Sequence, residues 1–154
     1  MRIDFSGSAV SFDDLPVGGF FMFDLHRGGA FGLCVAIGKK AAVVFPREGT
    51  QERFALQVGG LTHETFICFA DAVLRPDQSS IAGGEATSDG ALTSVDGHYY
   101  MKAQEGVYYH NFHVQSGLAE DPRGTSNAFH FARWKVGSII DQKFEPIFSF
   151  PAGT

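Results

Sequence analysis

Large apolar residues recur with a period of two over most of this chain. In Phe31-Gly32-Leu33-Cys34-Val35-Ala36-Ile37, the bulky Phe31, Leu33, Val35 and Ile37 fall on one side and Gly32, Cys34 and Ala36 on the other. This predicts a strand whose bulky face enters a core while its small face lies beneath a second element. Strand-like runs recur at 3–12, 20–25, 41–45, 54–58, 98–104, 107–115, 128–136, 139–140 and 144–150. Turn chemistry separates them: Asp13-Asp14-Leu15-Pro16-Val17-Gly18-Gly19, Arg27-Gly28-Gly29, Gly38-Lys39-Lys40, Gly59-Gly60 and Glu105-Gly106.

Residues 61–75 carry two patterns at once. Phe66, Phe69, Ala70, Val73 and Leu74 have helical spacing, with Thr62 as a cap and Pro76 as a stop. Yet Thr65-Phe66-Ile67-Cys68-Phe69 is a β-favouring run, and strand is narrowly preferred. If a helix exists, it lies at 62–75. Residues 77–89 are rich in Ser, Gly and Ala and are expected to form an irregular loop or linker. The halves share no repeat.

About nine or ten short strands with frequent turns predict a mostly β fold, an antiparallel small barrel or sandwich with at most one short helix. One domain over 1–154 is expected. Within it, sub-lobes 1–76 (barrel-like) and 90–154 (hairpin-rich) would be joined by loop 77–89. Composition agrees: 16 Phe against one Trp, with 19 Gly, suits short twisted strands between tight turns.

Charge narrows the partners. The formal net charge is −5, and the densest basic stretch is Arg133 and Lys135 around Trp134, so no nucleic-acid partner is expected. Residues 1–7 lack an apolar leader run, and no membrane-length apolar stretch follows, so a cytoplasmic protein without a membrane partner is expected. Cys34 and Cys68, the only cysteines, each sit in an apolar run and are expected to be reduced core thiols.

Phosphate-binding loops, the Gly-x-Ser-x-Gly elbow, Cys-x-x-Cys and His-Glu-x-x-His are all absent. The hydroxyls of Ser116 and of Gly124-Thr125-Ser126 read as turn residues with no base assigned to them. Four of six histidines, His98, His110, His113 and His130, cluster in the second half. A two-residue turn at Glu105-Gly106 would oppose His98 to His113, Tyr100 to Asn111, Lys102 to Tyr109 and Gln104 to Val107. The other face, with Tyr99, Met101, Ala103, Tyr108, His110 and Phe112, would meet the core. Opposed imidazoles suit a divalent transition metal, with Asp96 as third ligand. Tyr100, Tyr109 and Asn111 on that polar face are candidate ligand-binding residues.

Three functions are compatible with this reading. The leading one is a non-enzymatic interaction or assembly module, binding a protein or its own copy and using no cofactor. The second is a metal-binding barrel or metal-dependent enzyme built on His98, His113 and Asp96. The third is a barrel holding a small apolar or sugar ligand among Phe and Tyr side chains.

Overall fold

Alternation produces more strands than the pattern alone suggests. In the computed structural model, residues 1, 5–48, 50, 53–59, 61, 64–86, 88–122 and 127–151 are described. They contain fourteen strands: β1 (Gly7–Val10), β2 (Phe20–Phe23), β3 (Ala30–Ile37), β4 (Lys39–Val44), β5 (Ala55–Gln57), β6 (Phe66–Phe69), β7 (Val73–Pro76), β8 (Ile81–Gly83), β9 (Leu92–Val95), β10 (His98–Glu105), β11 (Tyr108–His113), β12 (Phe129–Phe131), β13 (Trp134–Ile140) and β14 (Lys143–Phe150). The surplus comes from three- and four-residue strands, too short to display a period. Two 3-10 turns, Leu25–Arg27 and Gln78–Ser80, are the only helical segments among the described residues. No helix among them is long and apolar enough to cross a membrane.

Eleven strands share one sheet in the order β1-β6-β2-β3-β4-β5-β10-β9-β12-β8, with β11 paired to β10; β14-β13-β7 form a second sheet. Pairing between the named strands is antiparallel except between β5 and β10, which run parallel through Gln104 opposite Ala55, and the Ala36–Leu118 bridge is parallel too, so the expectation of purely antiparallel pairing is corrected. Among the described residues neither sheet closes on itself through its named strands. Single-residue bridges, Ala36 to Leu118 and Phe112 to Ala119, link β3 to β11 through the segment at 117–119.

The contested stretch at 62–75 is strand at both ends, while Thr62 lies outside the described residues. A helix would put Phe66 and Phe69 on one face. Here Phe66 enters one core cluster and Phe69 the other, as a strand requires. β6 hydrogen-bonds to β1 and β2, whereas β7 joins β13, so the chain changes sheets at 70–72.

The expected loop at 77–89 is partly regular. Asp77 caps the Gln78–Ser80 turn by accepting the Ser79 N–H at 2.9 Å, and β8 then pairs with β12. Arg133 explains the order: its Nε donates to Asp77 at 2.9 Å and its guanidinium to Ser79 Oγ at 2.8 Å.

Both faces of the central strands are buried, in different company. Leu33, Val35, Ala41, Val43 and Phe45 meet Met101, Phe112, Trp134 and Val136 in a cluster spanning both sheets. Cys34, Ala42 and Phe21 turn the other way, onto Phe12, Leu15, Leu61 and Phe66. The small face of β3 thus lies beneath a second layer, as its pattern predicts. Gly32 makes room for its neighbours in the sheet: a Cβ there would stand 2.6 Å from the Phe21 ring of β2 and 2.7 Å from the Val43 carbonyl of β4.

Candidate functional site

Two places on this scaffold concentrate chemistry. The first is a cavity of about 680 Å³ beside the point where the chain leaves β6 for β7. Phe20, Leu33, Phe69, Leu74, Met101 and Val136 are among its lining residues, with Tyr99 and Gln115 supplying polarity; none of the residues lining it carries a charge. One wall is the turn at 16–19, zipped to β3 by Gly18 N–H on the Cys34 carbonyl (2.7 Å) and Cys34 N–H on the Gly19 carbonyl (2.8 Å). Gly117, at φ +72°, closes against it: a Cβ there would sit 2.5 Å from Gly18 N and 2.6 Å from the Cys34 carbonyl oxygen.

The second place is the outward face of the β10–β11 hairpin. Its register differs from the expected one by two residues. Tyr100 faces His113, Lys102 faces Asn111, Gln104 faces Tyr109 and Glu105 faces Tyr108, so the turn is Gly106-Val107. A two-residue hairpin turn favours positive φ at its first central residue, and Gly106, at +59°, takes that position instead of Glu105. A shift of two leaves every side chain on its predicted face. His98 and His113 are therefore diagonal neighbours, with His98 Nδ1 3.0 Å from His113 Nε2.

Asp96 does not join them as a strand residue. Asp96 and Gly97, with φ of +51° and +82°, form the tight turn between β9 and β10. Among the described residues no three His, Cys, Asp or Glu side chains are grouped as metal ligands. His113 also has a defined tautomer. The Ser116 N–H points at Nδ1 from 3.2 Å, with Ser116 Oγ 2.9 Å away, so Nδ1 accepts and the proton of the neutral ring lies on Nε2, facing His98.

The other candidates are spread along the same face. Tyr100 is buried edge-on to the His113 ring, and its hydroxyl reaches the Glu120 carboxylate at 3.5 Å; burial, then Glu120, push its phenol above the usual range. Asn111 donates to Asp121 at 3.4 Å, and exposed Tyr109 meets Arg53 at 3.1 Å. Lys102 and Asn111 border a recess of about 220 Å³ with Thr93 and Glu85. His110, expected in the core, stands half-buried at the hairpin's side with Nε2 3.0 Å from Glu105. His130 Nδ1 lies 3.0 Å from the Gly84 carbonyl.

Ser116, read from the sequence as a turn residue with no base assigned, does lie in a turn, and that turn brings its Oγ to 2.9 Å from His113 Nδ1. The hydroxyls at 125 and 126 lie outside the described residues. No protein-family model matches this chain, and no curated protein or solved structure matches it significantly.

Proposed function

We propose that this protein is a binding module for a small, neutral, apolar ligand held in the cavity between its two sheets. The observation that carries the reading is the cavity of about 680 Å³, aromatic and aliphatic in its lining and free of charged side chains. Ligand pockets typically hold roughly 300–1,000 Å³, with an apolar lining and a few polar groups that orient the ligand. Tyr99 and Gln115 are those groups here. A carboxylate or ammonium would be stripped of water in such a place without a partner, which selects against charged ligands.

The reading includes a barrel-like architecture. Strands β3, β4, β5, β10 and β11 follow one another by pairing, and the bridges at Leu118 and Ala119 return β11 to β3. Val35, Ala41, Val43, Leu56, Ala103 and Phe112 would fill that ring. The small sheet lies across it, and the cavity is the gap left where the two diverge.

A neutral naphthylamine fluorophore tests the proposal. It should brighten with saturable stoichiometric binding, and Ala72→Trp, which fills the cavity, should abolish the signal while leaving the fold intact. Absence of binding by the unmodified protein would overturn the reading, as would unchanged binding by the filled variant.

A partner-docking role has its own support at the hairpin tip, where Val107 is 81% and Tyr108 70% exposed. Sedimentation of the protein against a Val107→Asp/Tyr108→Ser variant tests whether that tip mediates self-association; identical monomeric behaviour would remove it.

A further inference from the structure

Away from the cavity, three side chains form one continuous hydrogen-bonded line. Ser116 Oγ lies 2.9 Å from His113 Nδ1, and His113 Nε2 lies 3.0 Å from His98 Nδ1. Each bond has an assignable direction. Leu118 N–H donates to Ser116 Oγ at 3.3 Å, leaving the hydroxyl's own proton for His113. The single lone pair of His113 Nδ1 is shared between the Ser116 N–H and the hydroxyl, the shorter contact, and the Nε2 proton is handed to His98. We propose that this line makes Ser116 a nucleophile toward small esters, with His113 as its general base and His98 as the positioning residue.

The arrangement meets the requirements of an activated hydroxyl: a base within hydrogen-bond reach, and a third group that orients the base. When His113 takes the proton, both of its N–H groups keep partners, Ser116 Oγ and His98. The Leu118 N–H holds Oγ in place, fixing the direction of the hydroxyl's lone pairs. The segment is also held still. Ala36 N–H donates to the Gly117 carbonyl at 2.9 Å, and Ala119 N–H to the Ala36 carbonyl at 3.0 Å, fastening the turn to β3. Capping of the turn by the His113 ring accounts for the Ser116 N–H contact. It does not account for the alignment of Nε2 on His98.

The site faces away from the apolar cavity. Tyr99 and Met101 line that cavity, and the alternate residues His98, Tyr100 and Lys102 project from the opposite side of the strand. His98 is exposed and Ser116 half-buried, so the hydroxyl is open to a short-chain, water-soluble ester, unlike the neutral apolar ligand of the cavity. In the step, Oγ bonds to the acyl carbon and the ester's C–O bond breaks. The serine proton passes to Nδ1 and then to the departing alcohol. Water repeats the sequence on the acyl-serine, so ester plus water gives acid plus alcohol.

An alkyl fluorophosphonate reads out the nucleophile directly, because Oγ displaces fluoride and remains covalently phosphonylated. Incubation of the whole protein, followed by digestion and peptide mass spectrometry, should place the label on Ser116. Ser116→Ala should remove it. His113→Gln should slow labelling about 100-fold, the typical share of a general base. His98→Asn, whose amide oxygen can accept the Nε2 proton, should keep most of the rate, while His98→Leu should lose about 10-fold at the same melting temperature. Label spread over other serines, or Ser116 labelled equally in the His113 variant, would overturn the proposal. Equal rates for the two His98 variants would remove His98 from it.

Discussion

At the scale of single residues, close packing and hydrogen-bond direction make the sharpest demands. Gly32 is crowded by the strands on either side of β3, and a methyl group there must displace the Phe21 ring or the Val43 carbonyl. Gly32→Ala is expected to cost about 1–3 kcal/mol, measured by urea unfolding. Lys40 is legible only in three dimensions: its Nζ donates to the carbonyls of Asp13 and Leu15, each at 2.7 Å, and of Phe12 at 3.3 Å. A lysine following Gly38 reads as an exposed turn residue. The cysteines were legible, because an apolar run on a strand leaves a thiol nowhere but the core. Both are free and buried; burial lifts the Cys34 thiol to about 11 and raises Cys68 as well. Since the thiolate is the reactive species, native protein should react slowly with a thiol reagent at pH 8, and denatured protein should yield two equivalents rapidly.

Between elements, faces were easier to read than registers. Side-chain alternation put Met101, Ala103 and Phe112 in the core, since a slip of two residues preserves faces, but Tyr108, expected there, is 70% exposed at the hairpin tip, and Tyr100, expected on the polar face, is buried. What it could not assign was which residues make the turn. Glu105-Gly106 and Gly106-Val107 are nearly equivalent as strings, and the positive φ of Gly106 favours the second. Asp96-Gly97 was the clearer hairpin signal, and giving it weight removes Asp96 from the strand at once. The ordering of 77–83 was invisible in composition because it depends on Arg133, far along the chain. Hydrogen bonds from Ser79 and Arg133 hold the Asp77 carboxyl down to about 2, against an ordinary value of 3.8. A depressed carboxyl stabilises the fold above its unfolded value and loses that effect as pH falls through its folded one. Acid should therefore loosen this segment between about pH 4 and pH 2. Hydrogen exchange at 78–83 should rise in that window, and in Asp77→Asn it should be fast already at pH 7. Unchanged exchange in the variant would show that β8 holds without the Asp77–Arg133 link.

For the whole molecule, the aromatic residues join the sheets. Phe45 stands within 5.6 Å of Trp134 and 5.1 Å of Phe148 by ring centroids, and Phe54 lies 5.0 Å from Phe150. The abundance of Phe announced such a core, but not which strands it would connect, since aromatic pairs form across sheets as readily as within one. Trp134 adds a directional bond, its Nε1 donating to the Gly90 carbonyl at 2.6 Å in a buried setting. Trp134→Phe keeps most of the ring contact but leaves that carbonyl without its donor. The expected loss is about 1–3 kcal/mol, measured by chemical denaturation followed through circular dichroism. A variant as stable as the parent would mean the carbonyl finds another donor.

Because the small sheet depends on β13 and β14, the partners of Phe31 and Phe45 include side chains synthesised well after them. A ribosome would release Phe31 and Phe45 long before Phe148, whose tilted ring packs against both, has been added. For that interval the half-made protein presents a sticky aromatic sheet to its surroundings, the kind of surface that chaperones bind. Nascent chains stalled after β12 should therefore associate with a trigger-type chaperone, and chains extended past β14 should escape it.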